Sequence, residues 1–171
     1  MDMPRVLIPI THGVDELAVV TLVTTLRTAG CRAITATVGV TNPVVGSHRV
    51  RLMADLDLAD ALTEWGSAWD LVVLVGGAKA SAAFLESAPL TKMLQERQTA
   101  GGLMAALGQD VWSLVGLPEP GGDTRQELVV DDSRLGVTGF ASAPRLAAEC
   151  VRLLRGEAAV RALQEDETDT L

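Results

Sequence analysis

The side chains that could transfer protons follow two apolar runs of the chain. His12 comes after the run at 6–10, and Asp110 comes after the run at 103–107. Imidazole titrates near neutral pH, and a carboxylate in a pocket can act as a general base. We therefore expect His12 and Asp110 to be catalytic if the two runs are strands ending at one pocket. The alternatives are an exposed loop histidine and an acid that only complements a helix dipole.

Gly108 lies where the second of these runs is expected to turn abruptly into a helix. Several enzyme folds place a nucleophile on such a turn, where the strained backbone lifts one side chain into a pocket. Glycine adopts a positive φ without steric cost but has no side chain to lift. The backbone N–H of Gln109, with that of Gly77 or Ala78, could still bind an anion or polarise a carbonyl oxygen.

Apolar runs alternate with amphipathic segments, which predicts a flavodoxin-like α/β fold with a parallel sheet flanked by helices on both faces. Strands are expected at 6–10, 33–38, 70–75, 103–107, 127–130 and 134–138, with a loop or hairpin at 42–55. Helices are expected at 14–29, 57–65, 87–100, 144–154 and 157–163, and another helix starts over 109–115. Residues 1–164 are expected to form one domain, and the acidic segment 165–171 a disordered tail.

Ligands bind at the carboxyl ends of the strands in such sheets, which directs attention to the loops at 11–16, 76–81, 108–112 and 138–145. Trp112 could line the pocket, which would indicate an apolar ligand, or plug it, which would indicate lost function. Arg145 could bind a carboxylate beside Ser142, although a solvated arginine is the alternative. Glu16 could point at a ligand or simply complement a helix dipole.

Composition argues against several partners and cofactors. A net charge of −8 disfavours nucleic acid, which requires a basic surface. No apolar run approaches the roughly 18 residues that would span a membrane. The N-terminal residues lack the pattern of a secretory signal, and Cys31 and Cys150 suit buried thiols in a reducing compartment, so we expect a cytoplasmic protein. No metal-ligand spacing or nucleotide-binding glycine motif occurs, and neither metal nor cofactor is expected.

Four segments resemble the DJ-1/PfpI family of the class I glutamine amidotransferase-like superfamily. They are 6–17, similar to its first strand and acidic turn; 19–30, similar to its first helix; 70–77, similar to a strand and glycine turn; and 103–108, similar to the strand before its elbow cysteine. The resemblance implies the family's three-layer sandwich and its usual homodimer.

The departures from the family pattern concern its chemistry. Gly108 stands where the family has the elbow cysteine, and Ala18 stands where it has the acid that bonds the thiol. The stretch after the elbow has no histidine, since His12 and His48 are the only histidines. Cysteine reacts as a thiolate beside a group that tunes it, so protease, deglycase and glyoxalase chemistry are not expected.

Three hypotheses for the function remain open. The first is an enzyme of lyase, isomerase or cyclase type, acting on a small carbonyl compound by non-covalent acid–base chemistry. The second is a non-catalytic dimeric protein with a binding, regulatory or chaperone-like role. The third is a partner of an active homologue in a mixed dimer. The fold alone does not decide between them.

Overall fold

The computed structural model describes residues 2–120 and 128–168. Its strands are β1 (Arg5–Ile10), β2 (Arg32–Thr37), β3 (Val44–Val45), β4 (Arg51–Leu52), β5 (Leu56–Asp57), β6 (Leu71–Val75), β7 (Leu103–Leu107), β8 (Val129–Asp131) and β9 (Arg134–Val137). Its α-helices are α1 (Glu16–Thr28), α2 (Leu58–Trp65), α3 (Ala80–Glu86), α4 (Ala88–Thr99), α5 (Ala143–Arg155) and α6 (Glu157–Thr168).

Seven strands form the main sheet in the order β5-β2-β1-β6-β7-β9-β8, and only β8 and β9 pair antiparallel. The central strands β1, β6 and β7 are almost entirely buried. They are continuous apolar runs because helices cover both faces of a parallel sheet. The predicted flavodoxin-like α/β architecture is confirmed.

Pro9 lies inside β1, where a proline is unusual. On one side of β1 the register includes Pro9, which pairs with Ala36 of β2. On the other side the pairing with β6 covers only Val6 and Leu7. Proline lacks an N–H, and it is tolerated here because no second ladder runs past it.

The segment after β7 departs from the prediction. Instead of an α-helix over 109–115, two 3-10 helices occur at Gln109–Val111 and Ser113–Val115. Gly108 and Gly116 bound this segment with φ of 102° and 76°, so a positive φ interrupts the helical backbone at both ends. An α-helix has no room to propagate there.

Two further differences concern helices. The helix α3 was not expected, because its sequence of small residues carries no amphipathic period. The helix α6 extends to Thr168, so residues 165–168 are helical rather than part of a disordered tail. Residues 169–171 lie outside the described part of the chain, as does residue 127 at the start of the expected strand 127–130.

Candidate functional site

Gly108 forms the elbow between β7 and the first 3-10 helix, with φ 102° and ψ 129°. Its N–H donates to the Val137 carbonyl of β9 at 2.9 Å, which fixes the turn to the neighbouring strand. A Cβ built on Gly108 would lie 2.8 Å from Asp110 Oδ1 and 2.9 Å from Phe140 Cε1. The positive φ favours glycine, and any side chain here would have to displace the ends of the Asp110 and Phe140 side chains.

The carboxylate of Asp110 occupies the space in which a side chain at position 108 would lie. A Cβ on Gly76 would come within 2.0 Å of Asp110 Oδ1, so the carboxylate packs directly on the glycine turn after β6. The N–H of Gly77 donates to Asp110 Oδ2 at 3.2 Å. The expected carbonyl-polarising donor at Gly77 is thus already bound to a side chain of the protein.

Gly77 also has a steric reason to be glycine. Its φ is 151°, and a Cβ there would lie 1.9 Å from the Gly13 carbonyl oxygen. An isolated bridge joins Val14 to Gly77, and the N–H of Asp15 donates to the Gly76 carbonyl at 2.9 Å. These contacts hold the loops after β1 and β6 together. Ala78 is exposed immediately after this contact.

A cavity of about 530 Å³ opens above the elbow. Its described lining residues are Gly108, Gln109, Asp110, Ser113, Glu119, Thr138 and Phe140. Three of these, Gly108, Gln109 and Asp110, were predicted from the sequence. Ser113, Glu119, Thr138 and Phe140 were not singled out, although Thr138 and Phe140 fall within the loop at 138–145 that strand order identified.

His12 is exposed after β1 and is not among the described cavity-lining residues. Its Nδ1 accepts a hydrogen bond from the N–H of Val45 in β3 at 3.1 Å. Because Nδ1 is the acceptor, the proton of the neutral ring lies on Nε2. The geometry does not bring His12 and Asp110 together in one cavity.

Glu16 is buried and binds the loop that follows β3 rather than the elbow. Its Oε1 accepts from the N–H groups of His48 at 2.8 Å and Val50 at 3.1 Å, and its Oε2 accepts from Ser47 Oγ at 3.2 Å. A Cβ on Gly46 would lie 2.4 Å from Glu16 Oε2, so the loop backbone closes over the carboxylate.

These contacts govern the ionisation of Glu16. Burial acts to raise the pKa of its carboxyl group, but hydrogen bonds from its own N–H and from Val50 and His48 outweigh burial and hold the pKa at about 2. Glu16 therefore remains ionised at neutral pH and anchors the loop.

Trp112 neither lines nor plugs the cavity, which corrects both interpretations made from the sequence. Its side chain is 2% exposed, and Nε1 donates to the Val137 carbonyl at 3.1 Å. A Cβ on Gly136 would lie 2.8 Å from Trp112 Cε2. The indole thus packs in the core against β9, where glycine leaves room for the ring.

Ser142 and Arg145 also lie away from the described lining of the cavity. Ser142 is buried just before α5, and its N–H donates to the Gly139 carbonyl at 3.0 Å. Arg145 is exposed in the first turn of α5. Both residues lie in the loop region at 138–145 that strand order indicated. The sequence pattern did not predict the direction of their side chains.

Neither cysteine replaces the missing thiol. Cys31 and Cys150 are buried and unpaired, and neither is among the described residues that line the cavity. Burial raises the pKa of Cys31, and it raises the pKa of Cys150 to about 12. Both groups are therefore thiols at neutral pH. Within 2–120 and 128–168, no three or more His, Cys, Asp or Glu side chains are grouped to hold a metal ion.

Comparison with known proteins agrees with this architecture. Protein DJ-1 homolog B of Arabidopsis thaliana is 34% identical over 94 residues, which cover 55% of this chain and 21% of that protein. Protein DJ-1 homolog A of the same plant is 33% identical over 109 residues, or 61% of this chain and 27% of that protein. The chain thus spans about a quarter of the length of these two relatives.

Solved structures support the fold over nearly all of the chain. Drosophila melanogaster DJ-1beta superposes with a TM-score of 0.87 at 22% identity, covering 98% of both chains. Oxidised Toxoplasma gondii DJ-1 superposes with a TM-score of 0.85 at 24% identity, covering 96% of this chain and 98% of that one. No described helix is long and apolar enough to cross a membrane. The model of the DJ-1/PfpI family matches residues 4–117, and the chain belongs to that family.

Proposed function

We propose that this protein is an enzyme that uses Asp110 for non-covalent acid–base chemistry on a small molecule held in the elbow cavity. The observation that supports the proposal is the position of the Asp110 carboxylate, which lies on the glycine turn beside Gly108 and lines the cavity. Asp110 is exposed to that cavity, so a ligand proton can reach it. A general base must first lie within hydrogen-bonding reach of the proton that it takes.

The proposed reaction class follows from what the elbow provides. Covalent acyl transfer requires a nucleophile, and the elbow residue is Gly108. A carboxylate can take a proton from carbon next to a carbonyl and return it to another atom, which is the chemistry of isomerases, lyases and cyclases. Ser113 and Thr138 add hydroxyl groups to the lining that can orient a polar substrate. His12 is left out of this mechanism because it binds Val45 instead.

The test is deuterium incorporation into small carbonyl compounds in D₂O, followed by proton NMR. We expect the protein to accelerate exchange at the carbon next to the carbonyl of a compound that fits. Asp110→Asn should lower that rate by about a hundredfold or more, the usual contribution of a general base. Asp60→Asn, which removes an exposed acid in the first turn of α2, is the control. Unchanged exchange in Asp110→Asn would refute the mechanism.

The alternative is a non-catalytic dimeric protein with a binding, regulatory or chaperone-like role. One contact favours it: the Gly77 N–H that could polarise a substrate carbonyl is already bound by Asp110. A binding protein would take up ligands in the cavity, and no carbonyl compound would exchange faster in its presence than in buffer. The same NMR experiment therefore separates the two functions.

We also propose a homodimer, formed through the outer face of α1. Leu17 and Val20 are 73% and 48% exposed on that face. The hydroxyls of Thr21 and Thr24 donate to carbonyls of their own helix, which leaves these side chains without a free donor. The exposed side chains of this face are uncharged as far as Thr24, and Arg27 at its end is paired with Asp55. In a chain of net charge −8, such a face is where two copies can approach with little repulsion. The cytoplasm remains the expected compartment, and two unpaired thiols favour it.

A further inference from the structure

We propose that the elbow cavity takes a small organic cation, an amine or guanidine group carried on an apolar body. The proposed function supplies only the location of this site, and the new step is the chemical class of its ligand. Three features support it: the sign of the charges on the described lining residues, the state of the Gly77 backbone donor and the presence of an aromatic wall.

The charged side chains among the described lining residues are both carboxylates, Asp110 and Glu119. Both are exposed to the cavity opening rather than paired in the core. In a partly enclosed space the field of two carboxylates is screened less than on an open surface. A cation entering the cavity is attracted by both carboxylates, whereas a carboxylate or phosphate is repelled.

The backbone donor at Gly77 does not offset this charge. Gly77 N–H donates to Asp110 Oδ2 at 3.2 Å, and the carboxylate packs on Gly76 and Gly108. An anionic ligand would have to displace a carboxylate that is attached to the protein and held at high effective concentration. A cation needs no such displacement, because it can bind the outer face of the same carboxylate.

Phe140 supplies the apolar side of the proposed site. Its ring is half-buried, and its Cε1 lies 2.9 Å from where a Cβ on Gly108 would stand, so the ring flanks the elbow directly. Aromatic rings attract cations through the negative charge of their faces and also cover apolar groups. Ser113 lines the same cavity, and its hydroxyl oxygen can accept a hydrogen bond from an ammonium N–H.

The experiment compares benzylammonium with benzoate, which share a ring and carry opposite charges, by NMR titration of the full chain at low salt. We expect benzylammonium to shift the amide signals of Gly108 and Gln109, and benzoate to leave them unchanged. Glu119→Gln should weaken benzylammonium about fivefold, the loss expected for one partly solvated charge pair. Glu157→Gln removes an equal charge from the exposed start of α6 and should have no such effect.

Each outcome decides the proposal. Benzoate binding as tightly as benzylammonium, or Glu119→Gln binding like Glu157→Gln, would overturn it. Loss of affinity in both variants would reveal attraction by net charge alone and would also overturn it. Binding is measured without turnover, so a cavity that takes benzylammonium while Asp110→Asn keeps full exchange activity would contradict the proposed mechanism and leave this inference standing.

Discussion

Asp110 Oδ2 accepts a hydrogen bond from the N–H of Gly77 at 3.2 Å, across the elbow from Gly108. Two loops that follow neighbouring strands, β6 and β7, are joined by this contact. The elbow therefore presents a carboxylate beside the position at which the family has its elbow cysteine.

Asp110→Ala should convert the elbow into a weak anion site. The substitution removes a negative charge and releases the Gly77 N–H, which then faces the cavity. We expect formate to bind about tenfold tighter than to the native protein, measured from the shift of the Gly77 amide signal in an NMR titration. Glu119→Ala is the matched control, because it removes a lining charge and releases no backbone donor. An equal gain in formate affinity in both variants would show that loss of charge, and not release of the Gly77 N–H, explains the tighter binding.

Restoring a cysteine at the elbow should destabilise the protein. Gly108→Cys places a Cβ 2.8 Å from Asp110 Oδ1 at a φ of 102°. We expect a loss of about 2 kcal/mol in the free energy of unfolding, measured by urea denaturation. Gly139→Ala is the control, since a Cβ there meets nothing within 4 Å. A Gly108→Cys variant as stable as Gly139→Ala would show that the elbow has room for a side chain after all.

Glu16 should stabilise the fold in a pH-dependent way. Its pKa of about 2 lies below the ordinary value of 4.5, so the unfolded chain binds more protons between these values. The stabilisation is therefore complete above about pH 5 and is lost as the pH falls toward 2. Glu16→Gln should lower the free energy of unfolding by about 2 kcal/mol at pH 7 and by much less near pH 3, measured by urea denaturation at both pH values.

Glu86→Gln is the control for this pH dependence, because Glu86 is exposed at the end of α3. It should change the free energy of unfolding little at either pH. If Glu16→Gln lowers the free energy of unfolding equally at pH 3 and at pH 7, ionisation of Glu16 is not what holds the loop after β3.

Much of the sheet could be predicted because its strands are continuous apolar runs between glycine turns. The run at 70–75 and the glycines after it correspond to β6 and its turn, with β6 beginning at Leu71. The helix α3 was not predicted, because Ala80 and the small residues beside it show no helical period of apolar side chains. Strand order also predicted that the loops after β7 and β9 lie at one edge of the sheet, and residues of both loops line the cavity above the elbow.

The contents of the site could not be predicted in the same way. The direction of the Asp110 side chain depends on the φ of Gly108 and on the 3-10 helix that follows. The hydrogen bond from Gly108 N–H to the Val137 carbonyl of β9 holds this turn, and it is a long-range contact that a sequence pattern does not reveal. Glu119 lies in a proline- and glycine-rich stretch with no period to orient it. The His12 side chain accepts a hydrogen bond from the Val45 N–H. The Glu16 carboxylate accepts from the N–H groups of His48 and Val50. Both side chains therefore face the segment that contains β3 rather than the elbow.

Trp112 should contribute to stability and not to ligand access. Trp112→Phe removes the donor to the Val137 carbonyl, which also accepts from Gly108 N–H. We expect a loss of about 1–2 kcal/mol in the free energy of unfolding, with unchanged benzylammonium affinity. The measurements are urea denaturation and the NMR titration described above. If Trp112→Phe bound benzylammonium more tightly than the native protein does, the indole would be shown to restrict the cavity.

The outer face of α1 should control the oligomeric state. Leu17 is 73% exposed and makes little contact within its own chain. Leu17→Glu should therefore change the stability of the single chain by only about 0.5 kcal/mol. In a homodimer the same change buries an unpaired carboxylate at the interface and should convert the protein to monomer. Sedimentation equilibrium measures this, with Leu85→Glu, on the exposed side of α3 at 60%, as the control. A native protein that sediments as a monomer, or a Leu17→Glu variant that remains dimeric, would contradict the assignment of this face.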